Sequence, residues 1–93
     1  MHSAIFVASP IDQRENWGKF LDFSEGKLNK VKGVARLAEN VWLLNLQLSF
    51  ASLGWLVAFA EQQGVPYGIL PFERAPEWLP GGFDPNTIQA RKA

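Results

Sequence analysis

The run NVWLLNLQLSFASLGWLVAFA, residues 40–60, carries no charged side chain, and the way it is read decides the fold. About 20 mainly apolar residues are enough to cross a bilayer, so as one block it would be a membrane helix. Its internal pattern argues for two blocks. Trp42, Leu44, Leu46 and Leu48 share one parity, and Asn45 and Gln47 fall on the other. That period of two belongs to a strand with one apolar face. A membrane helix would have to bury Asn45 and Gln47 in hydrocarbon, at several kcal/mol per unsatisfied group. Ser49 is suited to cap a helix. Beyond it, Phe50, Leu53, Leu56, Val57 and Ala60 recur at helical spacing. Gly64 and Val65-Pro66 stop that helix near Gln63. The stretch therefore predicts a strand over 41–48 and a helix over 50–63.

The flanks extend this reading. Ala4 to Ala8 is a short apolar run of strand formers. Ser9-Pro10-Ile11-Asp12 then has the form of a helix start, which predicts a helix over 11–25 with Trp17, Phe20, Leu21 and Ser24 on one face, ended by Gly26. Residues 30–38 read as a second strand, joined by Glu39-Asn40 in a tight hairpin. The expected register sets Ala38 against Val41, Leu37 against Trp42, Ala35 against Leu44 and Gly33 against Leu46. It sends Val34, Arg36 and Lys32 to the other face, with Leu43, Asn45 and Gln47. Tyr67 to Phe72 is a last strand, and Pro71 makes it an edge strand because it cannot donate to a ladder. The order β-α-β-β-α-β gives an α+β, ferredoxin-like domain over residues 1–72, with an antiparallel four-stranded sheet and both helices on one face. Residues 73–93 are rich in Pro and Gly and form an extended C-terminal arm, with room for a short helix after Pro85.

The predicted element order, from Ala4 to Phe72, resembles that of the small CRISPR-adaptation nucleases and of the ribonuclease-type antitoxins sharing their fold. Those nucleases hold metal with an acidic residue at the end of the first strand. Here Ala8-Ser9-Pro10 occupies that place and Asp12 lies two residues past the proline. The resemblance thus implies a fold and does not carry over a metal-dependent activity.

Composition limits the function classes. A chain of 93 residues with 47% apolar content, four Trp and seven Phe can build one core. The net charge of zero supplies no general attraction for nucleic acid or anionic membranes. Without cysteine there are no disulfides and no thiolate chemistry. The N-terminus lacks the basic region of a signal peptide, so a cytoplasmic protein is expected. His2 is the only histidine, and no ligand spacing suggests a metal or cofactor site.

The expected function is therefore non-enzymatic: a regulatory or interaction domain acting as a homodimer, compatible with an antitoxin or immunity role. Trp55 and Phe59 lie off the core stripe of the second helix. With Trp78 and Phe83 they are the candidate interface residues, unless the aromatic tail folds back over them. One alternative is a small-molecule or cofactor-free catalytic cleft between sheet and helices, lined by Asn45, Trp55 and Tyr67. Another is nucleic-acid contact through Lys30, Lys32 and Arg36 on the second strand, which the lack of aromatics on the central strands disfavours.

Overall fold

The computed structural model describes residues 1–77 and 79–81. The chain runs β1 (Ser3–Ala8), α1 (Arg14–Leu28), β2 (Val34–Ala38), β3 (Val41–Asn45), α2 (Leu46–Gln63) and β4 (Tyr67–Phe72). The sheet order is β2-β3-β1-β4 with every neighbour antiparallel, which is the ferredoxin-like arrangement. Pro71 lies on β4, which among the described residues is an edge strand paired only with β1. No described helix is long and apolar enough to cross a membrane.

One face of the sheet packs under the helices. Ala4, Phe6 and Ala8 of β1 and Trp42 and Leu44 of β3 are buried there against Phe20, Leu21 and Leu28 of α1 and Leu46, Leu56 and Ala60 of α2. Phe6, Phe20 and Trp42 meet edge to face. Ring pairs of this kind add about 1 kcal/mol each beyond their burial. Trp17 packs at the rim, stacked on Phe20.

The uncharged run divides earlier than its alternation predicts. β3 stops at Asn45, whose Oδ1 accepts from the backbone N–H groups of Gln47 and Leu48 and starts the helix there. Leu46 to Leu48 make a first helical turn. Ser49 then interrupts it with φ −146° and ψ 52°, and the main helix continues to Gln63. Ser49 thus does stand at the entrance of the long helix, hydroxyl to hydroxyl with Ser52. The buried stripe of α2 is Leu46, Ser49, Ser52, Leu56 and Ala60, with Leu53 and Val57 packed beside it. Phe50, expected in that stripe, is 65% exposed. Gly64 closes the helix in the left-handed conformation at φ 68°.

α1 starts and ends later than expected. Ser9 and Pro10 lie before it, and Gln13 occupies the cap position with no side-chain bond. Gly26 is inside the helix, because Leu28 beyond it is buried in the core and tertiary burial outweighs the helix-breaking tendency of one glycine. β2 begins at Val34; Lys30 (φ 62°) and Lys32 belong to the connection before it. The hairpin pairs Ala38 with Val41 as expected, but a bulge at Leu37 shifts the rest by one residue. Arg36 lies opposite Trp42, Ala35 opposite Leu43 and Val34 opposite Leu44. A one-residue shift exchanges the faces of a strand, so Arg36 and Val34 turn to the helix side and Ala35 to the open side.

Candidate interaction surfaces

The register fixes the open face of the sheet. β1 presents Ser3, Ile5 and Val7, β3 presents Val41, Leu43 and Asn45, β2 contributes Ala35, and β4 contributes Gly68, Leu70 and Phe72. None is charged. Ile5 and Leu43 pair at the centre, between the two inner strands. Val7 and Leu70 are exposed. At the opposite corner Ala75 and Pro76, just past β4, come against Ala35, Leu43 and Asn45 and form a shallow groove of about 250 Å³. Ser3 in that groove is buried, and its hydroxyl lies 2.6 Å from His2 Nδ1.

The basic face expected here is absent: the bulge turns Arg36 away, and β2 begins only after Lys30 and Lys32. Arg36 forms an ion pair with Glu25 of α1 at 2.8 Å and donates to the backbone carbonyls of Ala38 and Glu39. Its guanidinium lies 5.3 Å from the Trp42 ring centroid. Lys30 and Lys32 are exposed on the α1–β2 connection. The three cations do not line one strand.

The second surface is on the helical layer. Along the outside of α2 the exposed residues are Gln47, Leu48, Phe50, Ala51, Gly54, Trp55, Ala58, Glu61 and Gln62, uncharged as far as Glu61 in the last turn. Trp55 is 42% exposed and stacks on Phe59 at 5.7 Å. Phe59 in turn meets Phe23 of α1 at 5.8 Å, and Lys27 Nζ sits 4.2 Å over the Trp55 ring. The helical spacing of Trp55 and Phe59 made this pair legible in the sequence. Phe23 and Lys27 join it only because α1 packs alongside α2. The remaining interface candidates, Trp78 and Phe83, lie outside the described residues, as does the short helix expected after Pro85.

The residues expected to line one pocket are spread over the domain. Asn45 caps α2 and walls the groove, at the end of the sheet where Ser3 lies. Tyr67 is at the other end, opposite Ala8, stacked on Phe6 at 5.3 Å and donating to Glu61 Oε1 at 3.0 Å. That bond to a carboxylate, with some desolvation and the adjacent negative charge, raises the Tyr67 phenol above its usual 10.0. Trp55 is on the outer side of α2. Among the described residues no three His, Asp or Glu side chains cluster as metal ligands would.

Comparison with protein-family models, with curated proteins and with solved structures finds no match to this chain.

Proposed function

We propose that this chain is a non-enzymatic association domain that works in the cytoplasm as a homodimer, in a regulatory role of the antitoxin or immunity kind. The observation that carries the reading is the amount of uncharged apolar surface outside the core. A monomer rarely exposes contiguous apolar patches beyond a few hundred Å² unless they are used. Here one layer offers Ile5, Val7, Leu43 and Leu70, and the other offers Phe23, Phe50 and Trp55. Aromatic residues with few neighbouring charges are the composition of an interface centre.

The other readings find less support. Asn45 and Tyr67 lie at opposite ends of the sheet, Trp55 is on the outer side of α2, and Arg36 is engaged within the fold. The deciding experiment is light scattering of the purified protein over a range of concentrations. The expected mass is near twice the chain mass of 10.4 kDa, falling toward the single value on dilution. A mass that stays at the single value throughout overturns the proposal.

A further inference from the structure

We infer that the chain's own C-terminal arm occupies the open face of the sheet, with Trp78 and Phe83 seated, within the same chain, on the apolar side chains around Ile5, Val7 and Leu70. This goes beyond the homodimer reading and narrows it, because it leaves the helical layer, with Phe23, Phe50 and Trp55, as the surface for a second copy.

The course of the described part of the arm carries the inference. β4 ends at Phe72, opposite Ser3 of β1. By Pro76 the chain is no longer beside the sheet but over it. Ala75 and Pro76 wall a groove with Ser3 of β1, Leu43 and Asn45 of β3 and Ala35 of β2, all of them residues of the open face. In the order β2-β3-β1-β4 these strands lie progressively farther from β4. At about 4.8 Å per strand the crossing is roughly 10–14 Å, about what the extended residues between Phe72 and Pro76 span. The chain therefore turns onto the open side as soon as its last strand ends, away from the helices. Burial follows the same course. Pro76 is half-buried between exposed Ala75 and Glu77, and Leu79 is 87% exposed. Leu79 precedes Pro80, which holds it to extended conformations. Extended backbone alternates sides, so a continuation in this register sets Trp78 on the side of Pro76, facing the sheet.

Reach and composition name the second anchor. From Pro76 to Phe83 the chain spans at most about 23 Å, and from Ser3 to Val7 along β1 is about 13 Å. Pro80-Gly81-Gly82 supplies the turn chemistry that bends the arm along the strands. Phe83 is thus within reach of Ile5, Val7 and Leu70. Val7 and Leu70 are 40% and 57% exposed there, and the face carries no charge that a covering ring would have to desolvate. A Trp and a Phe can each bury roughly 150–250 Å². A segment tethered this closely meets its site at an effective concentration on the order of millimolar. A second copy at lower concentration must overcome that advantage at a face whose rim Ala75 and Pro76 already hold. To cover Trp55 instead, the arm would have to leave the open side and pass round an edge of the sheet to the far side of α2.

The chain has no cysteine, so an introduced disulfide reports where the arm sits. Asp84→Cys, beside Phe83, is combined with Val7→Cys on the sheet face or with Trp55→Cys on α2. Closure under mild oxidation is followed on the full chain, with circular dichroism verifying the fold of each variant. The expected result is closure within one chain, at least tenfold faster for the Val7→Cys pair than for the Trp55→Cys pair, and slowed at least tenfold when Phe83→Ser is added. Faster closure of the Trp55→Cys pair puts the arm on the helical layer and overturns the inference. Rates that are equal for the two pairs, or indifferent to Phe83→Ser, describe a tethered arm without a seat and overturn it as well. A disulfide between chains assigns the face to a second copy; that overturns the seat within one chain and leaves the homodimer reading standing. The homodimer reading itself is decided separately, by light scattering of the unsubstituted chain.

Discussion

Gly33 sits at φ 90°, where an added Cβ would come 2.9 Å from the Cβ of Leu48 and 3.4 Å from the carbonyl oxygen of Asn45. Its own carbonyl accepts from Asn45 N–H at 2.7 Å, tying the entry of β2 to the end of β3. Gly33→Ala combines a left-handed backbone with a backbone-proximal clash, and should lower stability by about 2 kcal/mol or more in urea unfolding. At Arg36 and Glu25 the side chains are only 11% and 17% exposed. Arg36→Ala would leave that carboxylate poorly solvated and uncover Trp42, for an expected loss of about 2 kcal/mol. Tyr67 offers a direct titration, since it is the only tyrosine. Tyrosinate absorbance should show its midpoint above 10, and Glu61→Gln should bring it down. Because the folded value is raised, the stability linked to this bond is present below the unfolded value and is lost as pH rises through the folded one.

At the scale of elements, the junction of β3 and α2 is a cap followed by a break. Asn45 caps the first turn, and Ser49 is the break after which the main helix runs. Asn45→Ala should cost about 1 kcal/mol, and Asn45→Asp should be tolerated, since a carboxylate also accepts there and suits the helix N-terminus. The strand, the helix and the Ser49 position were legible in the sequence. The boundary was not, because Leu46 and Leu48 continue the alternation of β3 while already in helical turns. Leu48 ends up exposed by this route. The hairpin shows the same limit. Its turn and the Ala38–Val41 pair follow from residue spacing, but the bulge at Leu37 does not. What favours the bulge is a contact far along the chain, the reach of Arg36 to Glu25 on α1.

At the scale of the whole molecule, two apolar layers point in opposite directions, and the lack of charge on the sheet layer has a measurable consequence. Seating of the arm on the sheet face should be nearly independent of salt, because few charges are screened or uncovered. Closure of the Val7→Cys, Asp84→Cys pair at low and high ionic strength checks this; closure that slows steeply with salt would point to a charged contact instead.

The sequence by itself determined the element order, the hairpin turn, the edge position of Pro71 and the ferredoxin-like topology. Those follow from periodicity, turn chemistry and the missing proline N–H, all local. It also placed Trp55 and Phe59 off the core stripe; Trp55 is 42% exposed, whereas Phe59 is partly buried against the core. Only the tertiary structure decided which face of the sheet is apolar. One extra residue at Leu37 exchanges the sides of β2, and only packing against α1 and β3 selects that register. The surface expected to be basic is for that reason an uncharged platform centred on Ile5 and Leu43.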